Sequence, residues 1–392
     1  MNFIKTQTSL ASHLECSKCK KSYSLHELQT FATCCNKPLV VQYHAIDSFG
    51  ISDLQGRKPS MWRYREMLPV LDDANIVSLG EGMTPILPLK RLAAQLRLND
   101  LQMKDESLNP TGSFKARGLS MAVSKAKELG VEKCVVPTAG NAGGAMAAYC
   151  ASAGIKATVI MPSHTPKIFQ DECQYYGVEL LLVKGLINQC GALAAKIEKE
   201  QGAFNISTLK EPYRLEGKKT MGYEIAEQMN WQLPDVILYP TGGGTGLLGI
   251  WKAFHEMINL GWLKADVKLP RMIVVQAANC SPVVDSLNGI TKDISEYTES
   301  LANGLAVPVA FGQDMIHCVV KESGGTSVTV SEQEMIDGVK KMAKQEGVLV
   351  APEGAALWKA IPKLIASGEI SRSEKIMMIN TGSGYKYLEN LN

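Results

Sequence analysis

The chain has 392 residues, with 41 Lys+Arg against 39 Asp+Glu, 45% hydrophobic residues, 34 glycines and 10 cysteines. This length predicts two or three domains at roughly 100–200 residues each, able to bury a core without disulfides or metals. A net charge of +2 excludes a field that would gather nucleic acid or an anionic membrane, so an anionic ligand must be caught by a local site. The N-terminus has no apolar h-region, and the weakly polar stretch from Cys134 to Met161 is interrupted by Pro137, Asn141, Lys156 and glycines. Four cysteines crowd the start and six are scattered through strand-like and helix-like segments, as in a reduced, cytoplasmic chain with no membrane partner.

The first element is the cysteine-rich segment 1–45. Cys16-Ser-Lys-Cys19 has the spacing of a zinc knuckle, and Cys34-Cys35 supplies a second pair, so the segment resembles a zinc ribbon. The adjacent pair is a poor shape for two ligands on one tetrahedron, which leaves His13 and His26 as alternative donors. A nucleic-acid reading of the ribbon lacks a basic and aromatic patch. Tyr43 to Val77 is of mixed composition and reads as a linker with a short helix.

From residue 101, short apolar runs alternate with helical patterns. LQMK leads to a helix ending at Gly130, CVVP to a Gly/Ala-rich helix ending at Gly154, and ATVIM to a helix ending at Gly177. ELLLV precedes a helix from about Asn188, and Phe204 to Ile206 is the next strand. DVILYP, RMIVVQA and KIMMIN follow, with helical stretches between them. Continuous apolar strands alternating with helices predict parallel strands covered on both faces, hence a doubly wound α/β fold.

Two glycine loops stand between strand and helix. Thr241-Gly-Gly-Gly-Thr-Gly246 suits a phosphate, because it presents backbone N–H groups at a helix N-terminus. It lacks the Gly-Lys-Ser/Thr of a P-loop. Gly244 to Gly249 fits GxGxxG, but the following strand ends in Gln276-Ala-Ala-Asn, without the carboxylate a dinucleotide ribose needs. A bare tight turn is the plain alternative. In the second loop, Pro137 to Gly144, Asn141 is either a helix cap or a ligand. Lys115 of Asn109-Pro-Thr-Gly-Ser-Phe-Lys-Ala-Arg-Gly118 falls in a first helical turn, where the macrodipole disfavours an ammonium and favours a nucleophilic amine suited to Schiff-base formation. A solvated lysine is the alternative.

KDESLNPTGSFKARG, TAGNAGG, TGGGTG and NTGSG together resemble the fold-type II enzymes of pyridoxal 5′-phosphate. EGMTP, STLKEPYRLEGKKT and PEGAA extend the likeness, within that family, to the threonine synthases. The resemblance implies two doubly wound α/β domains with the cofactor in the cleft, preceded by the zinc-ribbon-like segment. It also implies a large domain of 46–120 and 208–392 and a small domain of 121–207. It gives Lys115 the cofactor linkage and proton transfers, Asn141 the cofactor 3′-oxygen, and Gly242, Gly243, Gly244, Thr245 and Gly246 the phosphate. Thr381 meets the pyridine nitrogen.

Ser207, Thr208, Lys210 and Arg214, with Thr138, are then the contacts to O-phospho-L-homoserine, whose phosphate would be a second one to bind. A solvated basic turn is the alternative for Lys210 and Arg214. The implied activity is that of a lyase forming L-threonine and phosphate in a cytoplasmic homodimer. An ammonia-lyase, a β-replacement enzyme similar to cysteate synthase, and a non-catalytic cofactor-binding paralogue are the rival readings. The chain departs from the family pattern at Ala116, at Ala142 and at Tyr385-Lys-Tyr387 after Gly384.

Overall fold

The computed structural model describes residues 9–44, 49–185 and 187–391. The N-terminal residues 1–8, where no signal segment is expected, and residues 45–48 of the expected linker lie outside the described residues. Among the described residues no helix is long and apolar enough to cross a membrane.

In chain order the elements are β1 (Ala11–Cys16), β2 (Ser22–Tyr23), β3 (Leu39–Tyr43), β4 (Ile86–Pro88), α1 (Lys90–Leu96), β5 (Asp100–Asp105) and α2 (Lys115–Glu128). There follow β6 (Lys133–Pro137), α3 (Asn141–Ala153), β7 (Lys156–Pro162), α4 (Lys167–Tyr175), β8 (Glu179–Val183), α5 (Ile187–Gln201), β9 (Phe204–Asn205) and α6 (Tyr213–Gln228). The chain closes with β10 (Val236–Pro240), α7 (Thr245–Asn259), β11 (Arg271–Ala277), α8 (Pro282–Leu287), α9 (Gln313–Glu322), β12 (Ser327–Val330), α10 (Glu332–Glu346), α11 (Pro352–Ala366) and β13 (Lys375–Asn380).

These elements cluster into two compact units. The first comprises Met1–Met83, Lys115–Thr220 and His255–Leu263, the second Thr84–Phe114, Met221–Phe254 and Lys264–Asn392. The first unit holds an antiparallel three-stranded sheet, β2-β1-β3, and a parallel four-stranded sheet, β8-β7-β6-β9. Helices α3 and α5 pack on β6 and β7, and Val135, Ile160, Cys190 and Ala194 form part of the core between α5 and these strands. The second unit holds a six-stranded sheet, β12-β11-β10-β13-β5-β4, parallel except for the edge strand β4. Every residue of β10 is buried, as expected of a parallel strand covered on both faces.

The described part of the expected linker, from residue 49 on, is packed. It contains 3₁₀ turns at Ile51–Leu54, Met61–Met67 and Asp73–Asn75 and buries Met61, Tyr64, Met67, Leu68 and Val70. Its apolar residues lack a helical or strand period, so no pattern announces the packing.

Candidate active site

In the second unit three neighbouring parallel strands, β10, β13 and β5, deliver the predicted groups from their carboxyl ends, where α/β sheets bind ligands. β10 runs into the glycine loop, β13 into Thr381, and β5 into the segment that leads to Lys115. That segment is laced to the end of β13: Phe114 N–H donates to Thr381 O (3.0 Å) and Ser383 N–H to Gly112 O (2.9 Å). Asn380 Nδ2 donates to Asp105 Oδ1 at 2.8 Å, and Asn109 Nδ2 donates to Glu106 Oε2 at 2.8 Å. The carboxylates of the KDES motif are thus engaged in holding the loop.

The glycine loop is tight because its Cβ positions are filled by neighbours. A Cβ on Gly242 would lie 2.1 Å from Gly304 O, and one on Gly246 would lie 1.8 Å from the Tyr239 hydroxyl. Gly244 has φ +76°, a left-handed conformation that glycine adopts without strain. Gly243 is half-buried, and Thr245 opens α7. Gln276, at the position where a dinucleotide site places its carboxylate, donates from Nε2 to Thr241 O (2.9 Å). Its Oε1 accepts from Val283 and Val284 N–H, so it braces the loop. A loop of backbone donors at a helix start, with no acidic residue in its own segment, fits the phosphate of pyridoxal phosphate.

In the first unit, β6 and β9 are neighbours. Thr138 and Asn141 follow β6, and Ser207, Thr208, Lys210 and Arg214 follow β9. Thr138 is buried and its Oγ1 accepts from Gly140 N–H at 3.1 Å. Asn141 is the first residue of α3, and its buried Oδ1 has no hydrogen-bond partner, which fits a polar ligand better than a helix cap. Ser207 Oγ donates to Asn205 Oδ1 (2.5 Å), and Lys210 is exposed. Arg214 is 1% exposed, and Nη1 donates to Ile206 O (2.8 Å) while Nε and Nη2 have no partner. It is no solvated basic turn.

Lys115 is the first residue of α2 and is half-buried. Helix α2 is held by Glu81 of the EGMTP motif, whose carboxylate accepts from Trp62 Nε1 (2.8 Å), Ser120 Oγ (2.7 Å), Tyr149 Oη (2.6 Å) and Leu79 N–H (2.9 Å). Burial and then the Glu81 charge push the Tyr149 hydroxyl far up, so it stays a donor.

Sequence reasoning missed Lys218 and Glu211. Lys218 is fully buried one helical turn after Arg214, and Glu211 accepts from Tyr213 N–H (2.7 Å) and Arg214 N–H (3.0 Å). The signal for Lys218 was present in the spacing: two cations four residues apart on a helix repel unless something compensates them.

The four N-terminal cysteines converge. The Sγ atoms of Cys16, Cys19, Cys34 and Cys35 all lie within 4.8 Å of one another, with Cys19 and Cys34 at 3.3 Å. Four thiolates about 2.3 Å from one zinc ion would stand about 3.8 Å apart. The set fits tetrahedral zinc without a histidine. Burial acts to raise the Cys16 thiol, but the N–H groups of Cys19 and Lys18 and two neighbouring thiols bring it down to about 7.

Residues 77–382 match the family model of the pyridoxal-phosphate dependent enzymes. The threonine synthase of Methanocaldococcus jannaschii is 34% identical over 95% of this chain and 92% of its own length. That of Methanosarcina acetivorans is 32% identical over 94% of this chain and 91% of its own length. The solved structure of maize serine racemase superposes with a TM-score of 0.65, at 23% identity over 78% of this chain and 93% of that one. The fold is fold-type II, and the chain belongs to the pyridoxal-phosphate dependent enzymes, within them to the threonine synthase family.

Proposed function

We propose that this chain converts O-phospho-L-homoserine and water to L-threonine and inorganic phosphate. The observation that carries the reading is Arg214, a buried guanidinium with Nε and Nη2 unpartnered, next in the sheet to the loop that presents Thr138 and Asn141. An incomplete guanidinium fork is costly to bury, and an oxyanion satisfies it with two parallel hydrogen bonds. A substrate phosphate is such an oxyanion. The curated relatives named threonine synthase, matched over nearly the whole chain, support the same reaction.

Pyridoxal phosphate, when bound, supplies an electron-withdrawing ring that stabilises negative charge at the substrate carbons. Lys115 Nζ would be its attachment point, and the Lys115 amine would carry protons from the substrate's Cα and then Cβ. The backbone of Gly242, Gly243, Gly244, Thr245 and Gly246 would hold the cofactor phosphate, and the Asn141 side chain would hold the ring's 3′-oxygen. Thr381 would offer the pyridine nitrogen a hydroxyl in place of a carboxylate, which would leave that nitrogen uncharged and favour elimination. Arg214, with Ser207, Thr208, Lys210 and Thr138, binds the substrate and stabilises the departing phosphate. The reading takes the active form to be a homodimer in the cytoplasm.

The test is product analysis on the purified holoenzyme. One phosphate released per L-threonine formed from O-phospho-L-homoserine is the expected result, with the cofactor's absorbance lost in K115A. R214A should keep that absorbance and raise KM by about tenfold or more, the loss of a charge-assisted contact. Release of ammonia from L-threonine or L-serine, with no phosphate release from phosphohomoserine, would assign the chain to the ammonia-lyases instead.

A further inference from the structure

The PEGAA motif and Tyr387, where the chain departs from the family pattern, meet in the second unit. Glu353 stands in the first turn of α11, and Tyr387 lies in the 3₁₀ helix Gly384–Asn390. Both side chains are buried, at 4% and 2% exposure. Tyr387 Oη donates to Glu353 Oε1 at 3.0 Å, and Gly304 N–H donates to the same oxygen at 2.8 Å. One carboxylate oxygen thus joins a side chain to a backbone amide.

Gly304 is wedged between two neighbours. A Cβ on it would lie 2.8 Å from Glu353 Oε1, and its carbonyl oxygen is the atom that a Cβ on Gly242 would meet at 2.1 Å. Its N–H faces the carboxylate while its C=O abuts the first glycine of the phosphate loop, so a shift of Gly304 is felt at Gly242. The base of this arrangement is fixed: Ala351 N–H donates to Gly382 O (3.0 Å), Gly384 N–H donates to Leu349 O (2.9 Å), and a Cβ on Gly354 would lie 2.3 Å from Asn380 Oδ1. The start of α11 is therefore tied to the end of β13. Residues 297–312 form no helix or strand, so Gly304 takes its place from side-chain anchors. Glu353 is the anchor at Gly304 itself.

We propose that Glu353 and Tyr387 are positioning residues for the cofactor phosphate, holding Gly304 against Gly242 so that the loop keeps its N–H groups where an oxyanion needs them. This rests on the assignment of Gly242 to Gly246 to that phosphate, made above. Hydrogen bonds weaken steeply as distance and angle worsen, so a small displacement of the loop costs several at once. The loss falls on the phosphate and spares the ring.

The test separates the two by measuring, on the full-length chain, dissociation constants for pyridoxal phosphate and for pyridoxal, which lacks the phosphate. Y387F removes one oxygen and keeps the buried ring, E353A removes the carboxylate, and Y385F, at an exposed side chain, is the control. Y387F should raise the dissociation constant of pyridoxal phosphate by about fivefold or more and E353A by about tenfold or more, with the cofactor's phosphorus NMR resonance shifted in both. Pyridoxal affinity should stay within about twofold of wild type, and Y385F should match wild type throughout. Wild-type affinity for pyridoxal phosphate in either variant, or an equal loss for pyridoxal, overturns the proposal while the loop keeps its assignment. A wild-type chain that binds pyridoxal as tightly as pyridoxal phosphate overturns both, and phosphate release from O-phospho-L-homoserine judges the reaction independently.

Discussion

Gly217 carries a constraint that no other residue type meets. Its missing Cβ leaves room for Arg117 O, a backbone atom that cannot swing away, with Arg117 C at 2.7 Å and Met121 Cβ at 2.9 Å. Gly217→Ala gains about 1 kcal/mol of helix propensity but forces α2 and α6 apart, so overpacking wins and the net cost is about 1–3 kcal/mol. Thermal unfolding of the holoenzyme should show the loss, and an unchanged melting temperature would contradict the close approach. At Gly118 the crowding atoms include the flexible end of Lys218, so the same substitution there costs less stability.

Glu211 adds a pH dependence. Its carboxyl is raised from 4.5 to about 7, so the folded state holds the proton more tightly than the unfolded one. The resulting stability is fully present below pH 4.5 and is lost as pH rises through about 7. E211Q removes the titrating group, and its melting temperature should vary less between these two pH values than that of wild type. Equal slopes would show that Glu211 does not titrate there.

At the scale of elements, the ribbon is held by few apolar residues of its own, with Leu14, Cys16, Leu25, Ala32, Leu39 and Val41 buried. A sheet of three short strands with so small a core is the kind of unit that a metal stabilises. Metal analysis of protein purified without chelators should find one zinc per chain, and C16S or C19S should lose it. Protein with four reduced thiols and no zinc would show the cluster to be empty of a structural role for metal.

The elements legible in the sequence were those with continuous apolar runs. VILYP, RMIVVQA and KIMMIN are long, buried and flanked by glycine or polar stops, so period and length agree. β4 and β12 escaped because three or four half-buried residues at a sheet edge carry no pattern of their own. The glycine loop and Lys115 were readable from motif order. The burial of Lys218 and Glu211 was not, because it comes from tertiary packing that their own segment does not encode.

Across the whole molecule, function depends on connections between distant segments. Tyr43, the last residue of β3, donates from its hydroxyl to Glu216 Oε2 at 2.7 Å, and the Lys219 ammonium lies 3.9 Å from the centre of its ring while pairing with Glu216 at 2.6 Å. Glu216 and Lys219 interleave along α6 with Arg214 and Lys218, so the three-stranded N-terminal sheet holds the same helix that carries the proposed substrate-binding guanidinium. Sites joined through one rigid helix exchange free energy in both directions. Zinc chelation should therefore weaken phosphate binding by the holoenzyme, and equal phosphate affinity with and without chelator would show the two to be independent.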